Sequence, residues 1–378
     1  MPAGGHFRPL VPVAHAAVLA DHQVAVCAPA TARAQVRAYG LAHLPAGHDW
    51  VGEQIRRAAQ ATEVPADHGR QLTRYLVTEG YPGPEALRTA RDILAHAQAW
   101  KPDVIVRENA EFGGYLAAEA LGLPHVSVGA AGGSASYLDQ ALLAPALDRG
   151  RKALGLSADP QGKRIYAYLH ANLMPAGYDP GEMAIPHVRC YRQTNPLLPG
   201  QRLPAWVSEL PEPPVLAAFG TLHPLTAVWH PVTSAVIAGL GALGRPAVVA
   251  AGPSLAVFEP VPPSVRLVDQ VAQTLMLEHC PLFVHHGGFN SVREALRLGV
   301  PMVIIPWFTD SLANAARCAQ AGVARVVPRD EATPENVRVA CSEVLADPAY
   351  RRRARQMRRD ILTLPPVDDL VRDIAVLA

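Results

Sequence analysis

Short β-branched runs alternate with longer stretches whose apolar positions recur every three or four residues, which predicts a parallel α/β sheet. In the first half, Gln23 to Cys27, Asp103 to Val106 and Pro124 to Val128 read as buried strands. Pro9 suits a first helical turn, and Leu10, Val13, Ala14 and Ala17 follow at helical spacing. Glu111 to Leu121 predicts a second helix, stopped by Gly122 and Pro124. The region from about 130 to 190 is less periodic and reads as helices and loops shaping a pocket. Residues 195–214 carry six prolines and can enter neither helix nor central strand. A second alternating block follows, with strands expected at Val215 to Phe219, Ala247 to Ala251, Val265 to Val268, Leu282 to His285 and Met302 to Ile305.

This pattern divides the chain into an N-terminal domain at 1–194, a Pro-rich linker at 195–214 and a C-terminal domain at 215–362. A tail at 363–378 is expected to pack back on the first domain. In doubly wound sheets ligands bind beyond the carboxyl ends of the strands, and paired domains place the site in the cleft between them.

Composition narrows the function classes. The chain has 378 residues, 49% of them hydrophobic and 18% charged, which is a core-forming balance. A formal charge of +1 lacks the basic excess of a nucleic-acid binder. The five cysteines (Cys27, Cys190, Cys280, Cys318, Cys341) form no CxxC pair and suggest neither a disulfide framework nor a zinc site. No apolar run reaches the length of about 20 residues that spans a bilayer. The first residues lack the basic and apolar regions of a signal peptide, so a cytoplasmic location is expected.

The most informative segment runs from His285 to Glu294, HHGGFNSVRE. It follows a strand and opens a helix. Gly287 and Gly288 let the backbone turn sharply, and Asn290 or Ser291 can cap the helix. Exposed amides at a helix start make an anion site, to which His286 can add a donor; an ordinary strand-to-helix turn is the competing reading. Gly220 and Thr221, after another strand, could contact the same anion. Asp310, near the end of the strand at 302–305, either accepts from sugar hydroxyls or caps the following helix. Near the first residue, His6 follows Gly4 and Gly5 and is a candidate general base, with Glu108 or Glu111 as its carboxylate partner; a packing role is the competing reading.

Two other sites are rejected. The segment at Gly4 does not form GxGxxG, so the nicotinamide fingerprint is missing. His279, Cys280, His285 and His286 have no suitable ligand spacing, and adjacent residues of a strand point to opposite faces. No metal is expected.

Together these motifs resemble the GT-B glycosyltransferases of family 1, in particular the actinobacterial enzymes that decorate natural products. HHGGFNSVREALRLGVPMVIIPWFTDSLANA, residues 285–315, carries the resemblance, supported by GHFRPLVPVA from Gly5. The resemblance implies two Rossmann-like domains facing across a cleft. His286, Gly287, Gly288, Asn290 and Ser291 would hold the donor pyrophosphate, with Thr221 on a phosphate from another loop. Glu294 would bond the ribose, Asp310 the donor sugar, and Ser311 stands where the family often has Gln. Gln270 stands near a position that is often aromatic and faces the nucleobase. His6 would deprotonate the acceptor, with Glu108 or Glu111 in place of the family's usual Asp. The family also has a strand ahead of the Gly-His turn.

The function so implied is an inverting, metal-independent O-glycosyltransferase. It would move a deoxysugar from a TDP- or UDP-sugar to a hydrophobic natural-product aglycone. No cofactor is expected beyond this co-substrate, and neither nucleic acid nor membrane is an expected partner; a homodimer stays open. Residues 51–81 and 129–147 are expected to wall the acceptor pocket. A nucleotide-sugar epimerase of the same fold, needing no acceptor, and a non-catalytic auxiliary partner are the competing readings.

Overall fold

The computed structural model describes residues 4–50, 68–130, 139–192, 197–220, 229–253, 255–307 and 310–378. The chain forms two compact units. One gathers residues up to 50, residues 70–199 and residues 364–378; the other holds 200–363.

In the first unit, β1 (Ala25–Ala28) pairs in parallel with β2 (Ala42–Pro45). A separate parallel sheet takes the order β3 (Ile105–Glu108), β4 (His125–Val128), β5 (His170–Asn172), β6 (Val188–Cys190). Helix α1 (Val11–Leu19) follows the predicted turn at Pro9. Helices α2 (Pro84–Trp100) and α3 (Gly113–Leu121) pack on each other. Gly122 ends α3 in the left-handed conformation, φ 69°, as its sequence position suggested.

The region from 130 to 190 departs from expectation. Residues 131–138 lie outside the described residues, but β5 and β6 add two strands where helices and loops were expected. The three residues of β5, His-Ala-Asn, have no β-branched member and are all buried. His170 Nε2 meets Glu182 Oε1 at 2.8 Å, and Asn172 Oδ1 accepts from the Met174 amide. Tertiary partners, rather than strand propensity, make this segment a strand.

The second unit holds one six-stranded parallel sheet. Its strands are β7 (Val215–Ala218), β8 (Ala247–Ala250), β9 (Val265–Val268), β10 (Phe283–His285), β11 (Met302–Ile304) and β12 (Ala324–Val326). They lie in the order β12-β11-β10-β7-β8-β9. Val215, Ala217 and Phe219 alternate onto one face, where they join Val284, Val303 and Val236 in a buried core. The chain works outward from β7 through β9, then returns to place β10 against the other edge of β7. That reversal is a topological switch point, so the carboxyl ends of β7 and β10 are where a ligand crevice forms. Residues 197–214 hold no α-helix or strand, only a 3-10 turn at Ala205–Glu209; 195 and 196 lie outside the described residues. Among the described residues, no helix is long and apolar enough to cross a membrane.

Candidate active site

Two loops leave the switch point of the second unit. After β10 the chain turns through Gly287, φ 85°, into helix α4 (Phe289–Leu298). The helix N-cap is Gly288, and no side chain caps it. Asn290 and Ser291 therefore do not cap, contrary to the sequence reading, because the N-cap, Gly288, lies two residues before Asn290 and three before Ser291. Asn290 Oδ1 instead accepts from Arg293, and Ser291 is buried. The amides of this first helical turn point toward the switch point, as at an anion site.

The two histidines before the turn do different work. His285 is fully buried, stacks on Phe283 and accepts the Gly287 amide proton at Nδ1, 3.0 Å. Burial and the neighbouring His286 push its pKa well below the ordinary value, so the accepting nitrogen stays unprotonated. The His286 imidazole fits between two glycines. A Cβ on Gly288 would stand 2.4 Å from its Nε2, and one on Gly220 would stand 3.0 Å from its Cε1. Gly220, φ 74°, ends the described part of the loop after β7. Thr221 lies outside the described residues. Burial pushes the His286 pKa down to about 4, which makes it a neutral hydrogen-bonding group near pH 7.

The turn is braced from below by helix α5 (Asp310–Gln320). Asn314, fully buried, donates to the Gly287 carbonyl and to Asp310 Oδ2, both at 3.0 Å. Asp310 stands in the first turn of this helix; residues 308 and 309 lie outside the described residues. Ser311 is buried, and its hydroxyl accepts from the Trp307 amide at 3.2 Å. Glu294 is also buried, with Gln273 Nε2 donating to one carboxylate oxygen at 2.5 Å and Thr274 to the other. Gln270 is exposed just after β9. Asn314, Gln273 and Thr274 were not singled out in the sequence; Asn314 stands on α5 one turn after Asp310, and Gln273 and Thr274 open the short helix Gln273–Leu277.

The first unit carries the other constellation. His6 Nδ1 lies 3.2 Å from Glu108 Oε1, at the carboxyl end of β3. Glu108 Oε2 accepts the Ala110 amide at 2.8 Å. Burial alone would push this carboxyl up, but the His6 charge and hydrogen bond outweigh it and hold it below its ordinary value. Glu111 is placed differently. Its two oxygens accept the Gly113 and Gly114 amides, at 2.6 and 2.8 Å, and so bind the start of α3. The structure thus separates the two carboxylates: Glu108 meets His6 and Glu111 caps a helix. Arg107, buried, shapes the loop that carries both. Its guanidinium donates to the carbonyls of Glu111 at 3.1 Å and Ile165 at 2.9 Å.

Tyr81 stands beside His6, ring centroids 6.4 Å apart, and Trp50 packs edge-on against Tyr81 at 5.7 Å. Of the two segments expected to wall an acceptor, residues 51–67 and 131–138 lie outside the described residues. Among the described residues, no group of three or more His, Cys, Asp or Glu side chains could hold a metal ion.

The chain is similar in sequence and fold to known enzymes. Residues 234–377 match the family model described as "Erythromycin biosynthesis protein CIII-like, C-terminal domain". The chain is 26% identical to aklavinone 7-beta-L-rhodosaminyltransferase of Streptomyces galilaeus, covering 95% of this chain and 90% of that protein. It is 24% identical to erythronolide mycarosyltransferase of Saccharopolyspora erythraea, covering 97% and 94%. Among solved structures, the glycosyltransferase SsfS6 of Streptomyces sp. SF2575, complexed with thymidine diphosphate, superposes with a TM-score of 0.79 at 25% identity, covering 99% of this chain and 97% of that one. With its parallel sheets and its two units, the chain has the GT-B fold and is similar over nearly its whole length to actinobacterial natural-product glycosyltransferases.

Proposed function

We propose that this enzyme moves a deoxysugar from a TDP-sugar to a hydroxyl of a hydrophobic aglycone, with inversion at the anomeric carbon and without a metal ion. The observation that carries this reading is the pairing of His6 with Glu108 at 3.2 Å beside an aromatic wall. Glu108 holds Nδ1 of the imidazole, which leaves Nε2 to take the acceptor proton. As that proton moves, the acceptor oxygen bonds to the anomeric carbon, the carbon–phosphate-oxygen bond breaks and its electron pair leaves with the diphosphate. The Glu108 carboxylate stabilises the imidazolium so formed.

The leaving diphosphate is received at the N-terminus of α4 and by His286. Because burial keeps His286 neutral, it acts as an N–H donor, and an arriving diphosphate raises its proton affinity. Glu294 is assigned to the ribose and Asp310 to the sugar. Ser311 is assigned to bracing the loop at Trp307 rather than to the sugar, since its hydroxyl is already engaged there. TDP is favoured over UDP as the nucleotide because the similar SsfS6 structure holds thymidine diphosphate. The relatives reported above are named as transferases, which favours transfer over epimerisation or an auxiliary role.

The test is binding followed by turnover. Thermal unfolding is compared with TDP, UDP, GDP, ADP and NAD; a ligand at 100 times its Kd stabilises by about 2.7 kcal/mol. Selective stabilisation by TDP or UDP is expected. His6→Ala is then expected to lower transfer by roughly 10²–10⁴-fold while leaving TDP affinity unchanged. Equal turnover in the variant removes His6 as the base.

A further inference from the structure

β3 carries Ile105 and Arg107 on one face and Val106 and Glu108 on the other, since successive residues of a strand point to opposite faces. Glu108 stands opposite Val128, and Val106 and Val128 meet in one apolar core. Arg107 stands opposite Ser127, on the face where Ile105 packs against the core of Phe112, Ile165 and Tyr166. Arg107 is thus a charge set in an apolar layer, 2% exposed. The two buried glutamates described in this unit have other partners: Glu108 meets His6 and Glu182 meets His170. A charge so placed costs desolvation, and an apolar side chain of similar volume serves packing at least as well.

What the guanidinium does is gather carbonyls. Nη1 donates to those of Glu108 at 3.3 Å, Asn109 at 3.4 Å and Glu111 at 3.1 Å, and Nη2 to that of Ile165 at 2.9 Å. The rings of Phe112 and Tyr166 hold the group in place, with centroids 5.2 and 5.7 Å from Cζ. The direction of a carbonyl fixes ψ of its own residue, and ψ relates that carbonyl to the Cα–Cβ bond. Arg107 therefore sets the backbone of Glu108 and of Glu111 together. With that backbone, Glu108 Oε1 lies 3.2 Å from His6 Nδ1, and the Glu111 carboxylate is taken up by the Gly113 and Gly114 amides.

We infer that Arg107 is a positioning residue for the acceptor base: by holding the turn at 108–111 through its carbonyls, it decides that Glu108 and not Glu111 meets His6. The inference rests on the reading of His6 as that base. Lysine does not replace it, because a single ammonium lacks the fork that reaches the turn through Nη1 and Ile165 through Nη2.

The test uses Arg107→Lys and Arg107→Met, each alone and combined with Glu108→Gln. One readout is the low-field proton resonance of His6 Nδ1–H donating to a carboxylate, assigned by its loss in His6→Ala and in Glu108→Gln. It is expected to be lost in both Arg107 variants as well. The other is a double-mutant cycle on kcat. Glu108→Gln is expected to lower kcat about tenfold in the native chain but less than about twofold beside Arg107→Lys, with KM for the TDP-sugar kept within about twofold throughout. A role in stability alone lowers Tm but leaves the resonance in place and the two substitutions additive; that result overturns the proposal. Arg107→Met keeps the core filled, so the same outcomes decide where the lysine variant does not fold. The resonance needs no sugar donor. A native chain that shows it, loses it on Arg107 substitution and transfers no sugar refutes the transferase reading and leaves the positioning of the pair standing.

Discussion

The Asn314 side-chain amide donates to the Gly287 carbonyl at 3.0 Å, and so ties the His-Gly turn to the helix that begins with Asp310. Asn314→Ala leaves that carbonyl and Asp310 Oδ2 without this donor. The cost of an unmade buried hydrogen bond is about 1–3 kcal/mol. Loss of stability in that range is expected, together with roughly tenfold weaker TDP binding, since 1.4 kcal/mol is about a factor of ten. Titration calorimetry and urea unfolding of the same variant measure both; unchanged TDP affinity would detach Asn314 from the donor site.

Glu108 and Glu111 are three residues apart but have separate partners. Glu108→Gln keeps the size of the side chain and removes the charge behind His6, so kcat is expected to fall by 10-fold or more, with Tm nearly kept. Glu111→Gln weakens the cap on α3, at a cost of about 1 kcal/mol, and is expected to leave kcat within a few-fold. The ratio of kcat to Tm effects in the two variants distinguishes the roles. The reverse ordering would exchange the two carboxylates.

Gln273 and Thr274 engage both oxygens of Glu294. Gln273→Ala frees one oxygen and lets the carboxylate turn. If Glu294 serves the ribose, TDP affinity is expected to fall several-fold while affinity for inorganic pyrophosphate is kept. A parallel loss for both ligands would place the effect on the phosphate turn instead.

Two buried histidines make folding depend on pH. His125 is pushed down to about 3, by burial and then by the Arg107 charge, and His286 to about 4, by burial. An unfolded histidine takes up its proton near 6.5, so between about 6.5 and 4 the unfolded chain binds more protons than the folded one. Stability therefore falls as pH falls through that window, by at most about 1.4 kcal/mol per pH unit for each histidine, and these groups have no effect above it. Replacing either by Asn is expected to remove about one proton from that slope. Urea unfolding at pH 7.5, 6.0 and 5.0 reads it directly; an unchanged slope in both variants would show that neither histidine is held neutral.

Much of the second unit was legible because its strands are β-branched runs bounded by Gly and Pro. The expected strand at 265–268 matches β9 residue for residue, and the other four differ from β7, β8, β10 and β11 by one terminal residue each. β5 was not legible, because His170 and Asn172 are polar residues buried by partners that only the fold supplies. In the candidate site, the His6–Glu108 contact and the turn at His286 were legible, because those residue types themselves signal chemistry. The site was illegible at Asn314 and Gln273, which are ordinary helix residues until the turn beside them is in place. The cap assignment failed for the same reason. A Gly-Gly-Phe-Asn-Ser sequence contains three plausible helix starts, and only the Gly287 dihedral and the His286 ring beside Gly288 decide between them.

The last helix, Val367–Ala375, completes the core of the first unit rather than of the second. Leu370, Val371 and Ile374 are buried with Val13, Val126 and Val128. Tyr191 and Arg189 of the same unit bond Asp373. Protein synthesis runs at about 5–20 residues per second and releases the N-terminal part first. The second unit is therefore made before the first is complete, because the first waits for residues 364–378, which follow the second in the chain. Until then, the apolar face shared by α1 and β4 is uncovered. The core of the first unit is thus completed only after the whole second unit has been made.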